Sequence, residues 1–222
     1  MNVVRLHRLP LAVWSILFAV VASGCLRKEI TSTWYLESDL SVVWSVLERD
    51  VRASEKSADD RRRAEAEFVA EARQHNQPVA RGLRQLNPTS LRTTVLRDKP
   101  PFTVDTDATF PNLRLLGERI LGRLGLTGYS SVDLTPDGYQ WTWSIDPHST
   151  IFEDGIDDDL TALFETEVIQ IALAQGEFLE TNHVQLSDDR RIATFPIGEL
   201  LNGLDKKQND EPTVFSLRWK DR

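Results

Sequence analysis

The sequence predicts one α+β domain, with a mostly antiparallel sheet covered on one face by helices. Three observations carry that expectation. Two alternating stretches between Tyr129 and Asp146 flank Thr135-Pro136-Asp137-Gly138, a turn in which Pro presets φ and Gly supplies positive φ. Leu113, Leu116, Ile120 and Leu124 recur at helical spacing between Pro111 and Gly125. The chain has 222 residues, 41% of them hydrophobic and 27% charged, an ordinary globular composition. That length suits one sizeable domain, with a division near residue 150 as the alternative.

The chain opens on MNVVRLHRLPLAVWSILFAVVASGC. Arg5 and Arg8 give a basic start, Leu11 to Val21 is apolar, and Ala22, Ser23 and Gly24 are small residues directly before Cys25. The apolar run is short for a membrane-spanning helix, which needs about 20 residues. This stretch resembles the signal peptides of bacterial lipoproteins. Ala22 stands where Leu is typical of that motif, three places before the cysteine. The resemblance implies that residues 1–24 are removed and that Cys25 is lipidated and becomes the new N-terminus. Residues 25–29 would then be a short tether and 30–222 the soluble domain. Leu26 is not Asp, which by the same resemblance favours the outer membrane, facing the periplasm, if the host is Gram-negative. Roughly four residues reach at most about 15 Å, so the domain is expected close to the headgroups, with Arg27 and Lys28 able to meet phosphates.

Glu29 to Glu37 and Ser41 to Val51 read as strands joined at Ser38-Asp39. Trp34 and Trp44 would stack across that hairpin, either as core or as an aromatic platform for a ligand. Ser57 caps a helix with Asp59 and Asp60 in its first turn. Its stripe of Ala64, Phe68, Ala72 and His75 is narrow, so it should pack shallowly. Arg61-Arg62-Arg63 lies among acids on its solvated face. Pro78 starts a second helix through Leu86, carrying Val79, Leu83 and Leu86, and Asn87-Pro88 ends it. Ser90 to Arg97 and Phe102 to Thr106 are strands about Pro100-Pro101.

The helix from Pro111 follows, with Pro at its first position and Gly125 as its C-terminal cap. In the hairpin beyond, Tyr139, Trp141, Trp143 and Ile145 share one face. Leu160, Leu163 and Phe164 form a helical turn, and Val168 to Ala174 is a strand. Short strands cover 176–186 and 190–195, with a short helix from Pro196 to Leu204. Thr213 to Lys220 is the last strand, with Phe215, Leu217 and Trp219 inward. Altogether roughly seven to nine strands are expected, helices covering one face.

Charge excludes one class of partner. Residues 1–24 hold Arg5 and Arg8 and no acid, so a chain starting at Cys25 keeps 24 of the 26 basic residues against 34 acidic, a net −10. Nucleic acid is therefore not expected, since phosphates demand basic clusters. The single cysteine leaves no intrachain disulfide.

Catalytic motifs are absent: there is no Gly-x-Ser-x-Gly, no phosphate-binding loop and no HExxH. His75, His148 and His183 do not share metal-ligand spacing. The best metal candidates are Asp154, Asp157 and Asp159 in the acidic run 153–159, whose carboxylates suit Ca²⁺. Their spacing is not that of an EF-hand, and capping of a helix N-terminus is the simpler role. No cofactor is expected.

Ala174-Gln175-Gly176-Glu177-Phe178-Leu179-Glu180-Thr181-Asn182, a charged turn and Arg191-Ile192-Ala193-Thr194-Phe195 are similar to strand pairs in LppM-like bacterial lipoproteins, a resemblance over about twenty residues that carries no chemical group. The expectation is a non-enzymatic binding or assembly module at the cell envelope, held to the membrane through Cys25 and open to a protein partner. A carrier of lipid or another small hydrophobic ligand is one alternative, with Trp34, Trp44, Trp141 and Trp143 lining its cavity. An envelope hydrolase with a site assembled in space is the other.

Overall fold

A computed structural model describes residues 26–149, 158–164, 166, 168–182, 184–198 and 211–221. The chain folds as a single α+β domain, but its strands divide between two sheets. The larger takes β1 (Leu26–Leu36), β2 (Val42–Ala53), β3 (Ser90–Arg97), β4 (Phe102–Phe110), β7 (Ile169–Leu173), β9 (Gln185–Leu186) and β10 (Ile192–Phe195) in the order β3-β4-β2-β1-β7-β10-β9. The smaller takes β5 (Gly128–Thr135), β6 (Gly138–Ile145), β8 (Glu177–Asn182) and β11 (Thr213–Lys220) in the order β5-β6-β11-β8. All pairings are antiparallel except β1 with β7, which run parallel with Trp34 beside Ile171. That pair makes the larger sheet mixed.

The two sheets face each other through tryptophans. Alternation turns Ser32, Trp34 and Leu36 of β1 and Val42, Trp44 and Val46 of β2 to one face. Trp141, Trp143 and Ile145 of β6 and Phe215, Leu217 and Trp219 of β11 meet them. Trp34 and Trp44 are cross-strand partners, their rings 5.3 Å apart at 65°, and Trp34 reaches Trp141 at 6.2 Å. Edge-on contacts of this kind suit the ring quadrupole.

Four helices are described. α1 (Ala58–Arg73) is capped by Ser57, whose side chain accepts from the Asp59 and Asp60 amides. α2 (Pro78–Gln85) buries Val79, Ala80 and Leu83. α3 (Leu113–Leu124) buries its whole predicted stripe and ends at Gly125, left-handed at φ 70°. Its N-cap is Asn112, which accepts from the Leu115 amide at 2.8 Å, so the helix starts two residues beyond Pro111. α4 (Asp158–Leu163) packs on α2. The short helix expected over 196–204 falls largely outside the described residues.

Beneath the helices the larger sheet carries two apolar clusters. The main one joins both sheets with α2, α3 and α4; the smaller sets Phe68, Val69 and Ala72 of α1 against Val51, Phe102 and Val104. A polar band crosses the same face near their junction. Gln77 donates Nε2 to Thr106 Oγ1 at 2.8 Å, and Lys28 Nζ meets Glu48 Oε1 at 3.0 Å. The opposite face carries Thr31, Tyr35, Ser45, Arg92, Asp105 and Asp107, which are exposed or half-buried.

Candidate functional site

The anchoring expectation bears on the end of the larger sheet that holds Leu26 of β1. Cys25 lies outside the described residues. β1 begins at Leu26, paired with Ala53, three residues before the strand expected from the sequence. Leu26 packs against the α1 cluster, which draws the strand out to that residue. The segment read as a tether of about four residues is therefore sheet. Leu26 is the residue directly after Cys25 in the chain.

Alternation then separates two residues that were expected to act together. Lys28 points inward to Glu48, which is 1% exposed, so its ammonium is committed to the interior. Arg27 points outward, directly opposite Arg52. A bulge follows, with Asp50 at φ 51°, and the register resumes with Glu29 opposite Arg49.

The aromatic residues are core. Trp34, Trp44, Trp141 and Trp143 are buried, and Trp141 stacks on Trp143 at 6.0 Å and 18°. The Trp44 and Trp141 indole N–H groups donate to Ser32 Oγ at 2.8 Å and Ser130 Oγ at 2.9 Å. Among the described residues these rings pack against one another and against Phe110, Phe195 and Phe215 between the sheets.

Of the three metal candidates, Asp154 and Asp157 lie outside the described residues. Asp159 stands in the first turn of α4 and accepts a forked contact from Arg81 of α2, with Arg81 Nε at 2.8 Å and Nη2 at 2.7 Å. Among the described residues no three His, Cys, Asp or Glu side chains gather as metal ligands would. His75 accepts from the Thr93 amide through Nδ1 at 3.1 Å. The exposed His148 donates its amide to Asp146 at 2.8 Å. His183 lies outside the described residues. Neither His75 nor His148 has a Ser or Thr hydroxyl as its partner in these bonds.

One electrostatic feature was not anticipated. Asp105 and Asp107 stand two apart on the outward face of β4, and Ser45 Oγ donates to Asp105 at 2.8 Å. Partial burial, then repulsion from Asp105, push the Asp107 carboxyl above its usual range, while Ser45 and Arg92 pull the other way. Asp-x-Asp inside an alternating strand was the readable signal.

No protein-family model matches the chain, and no curated protein matches it. Among solved structures it is similar to the NMR structure of the folded domain of LppM from Mycobacterium tuberculosis, at a TM-score of 0.37 and 9% identity, over 88% of this chain and 91% of that one. A likeness so distant assigns no function and no residue. No helix among the described residues is long and apolar enough to cross a membrane.

Proposed function

We propose that the chain is an envelope lipoprotein, lipidated at Cys25, whose domain is a non-enzymatic binding or assembly module held against the membrane surface. The observation that carries this reading is that residues 26–29, directly after Cys25, belong to β1. An acyl group on the preceding residue would seat the sheet on the headgroups with no leash between. The order Arg5, Arg8, apolar run, Ala22-Ser23-Gly24, Cys25 supports the processing step. Packed tryptophans favour a module working through its surface over a carrier working through a cavity. Outer-membrane placement follows if the host is Gram-negative.

The test is incorporation of labelled palmitate by the full chain, with Cys25→Ser as control. Labelling of the parent and none of the variant is expected; equal labelling of both, or of neither, refutes the anchor. Crosslinking in intact envelopes addresses the module, and reproducible recovery of a partner dependent on surface residues is expected.

A further inference from the structure

We propose that Arg27, Arg49, Arg52 and Arg97 form a contact surface for anionic phospholipid headgroups, so that the domain leans onto the bilayer by one end of its open sheet face. The inference rests on anchoring at Cys25 and adds an orientation and a lipid class to it.

The four side chains come from three strands. Arg27 faces Arg52 across β1 and β2, Arg49 faces Glu29 one step beyond the bulge, and Arg97 ends β3 opposite Thr103 of β4. All four are exposed. Among the described residues none of the four makes an ion pair, whereas Arg62, Arg81, Arg114 and Arg218 elsewhere all do. Like charges directly opposite on a sheet are destabilising, and Arg27 with Arg52 is such a pair. Lys99 lies just past Arg97; the nearby acids are Glu29, Asp50, Asp98 and Asp105, which stands two residues past Thr103 on β4. This end is thus net positive in a chain whose formal charge is −8.

Two further facts name the occupant. The chain leaves this end of the sheet at Leu26 toward Cys25, so an anchored bilayer lies beside the arginines. Leu96, the extra residue of the β3–β4 bulge next to Arg97, is 59% exposed and apolar, a side chain suited to the interfacial zone. Asp105 and Asp107 sit on the same face, with Asp107 four residues beyond Thr103, about 13 Å along β4. An anionic surface repels them, so the face tilts away from the membrane instead of lying flat.

The full chain carrying Leu96→Cys tests this. Cys25 is the only native cysteine, so acylation leaves one free thiol, at position 96, for an environment-sensitive dye. The matured protein is reconstituted in phosphatidylcholine vesicles with or without phosphatidylglycerol, both carrying headgroup-attached quencher. Quenching several-fold stronger in the anionic vesicles, reduced by salt and lost in Arg27→Glu/Arg52→Glu, is expected. Far-ultraviolet circular dichroism and Tm of that variant confirm that it is folded. Equal quenching in both vesicles, or quenching indifferent to the folded charge-reversal variant, overturns the docking surface. An acidic protein as the natural occupant would give that outcome. Two free thiols per chain would instead refute the anchor, and the docking proposal with it.

Discussion

Lys28 and Glu48 sit with their charges in the interior, and that fixes what each can do. Removing one partner of a buried pair strands the other's charge, at a cost of about 3 kcal/mol or more. Lys28→Met is therefore expected to lower stability by about that amount in urea unfolding at neutral pH, and Glu48→Gln to cost less because the Lys28 side chain it strands is 16% exposed, against 1% for Glu48. Asp107 behaves in the opposite sense. Its carboxyl titrates above the usual range because of burial and Asp105, so its contribution to stability is full below the ordinary carboxyl pKa and is lost as pH rises through the raised value. Asp107→Asn should accordingly match or exceed the parent in Tm at neutral pH, with the advantage vanishing in acid. Residue roles were legible where alternation alone decides them: the inward Trp34, Trp44, Trp141 and Trp143 follow from period two. The inward turn of Lys28 was not, because it depends on where β1 begins, and Leu26 extends the strand through a cluster supplied by α1.

α3 meets the smaller sheet at Gly117, where an added Cβ would overlap Ser130 Oγ, the group that accepts the buried Trp141 N–H. Gly117→Ala is expected to cost about 1–3 kcal/mol by overpacking, read as a lower midpoint in urea. The other helices divide by the cluster they cover. α1 contributes only Phe68, Val69 and Ala72 to its own small cluster, so its amides should exchange faster than those of α3, and Ser57→Ala, worth about 1 kcal/mol, should speed α1 exchange more than it lowers global Tm. Equal protection of the two helices would contradict that division. The shallow packing of α1 was readable from its narrow apolar stripe. The true start of α3 was missed because Pro111 and Asn112 are both good initiators, and only the Asn112 side chain reaches an orphan amide.

The division into two sheets could not be read from the chain, for a physical reason. Every inward strand alternates in the same way whichever sheet it joins, and partner choice rests on contacts across long loops. β1 and β7 pair although residues 37–168 separate them. The α+β class itself was legible, because it needs only the count and type of elements. The arginines of the proposed surface were hidden for the same reason as the sheets: Arg27, Arg52 and Arg97 are far apart in sequence and come to one end of the larger sheet only through the order β3-β4-β2-β1. Asp159, by contrast, was singled out for its acidic neighbours, and the structure gives it to Arg81, a partner no local pattern announces.

The position of β1 also has a mechanical consequence. The strand that follows residue 25 is an interior strand, bonded to β2 along ten registered pairs and to β7 along five. A pull applied at Leu26 runs along the strand axis and loads those two ladders in shear, where many hydrogen bonds must fail together. A pull applied at β9, a two-residue strand at the sheet edge, would peel bonds a few at a time. Optical-trap unfolding with one handle at the N-terminal end should therefore need markedly more force than with the handle at Ser187.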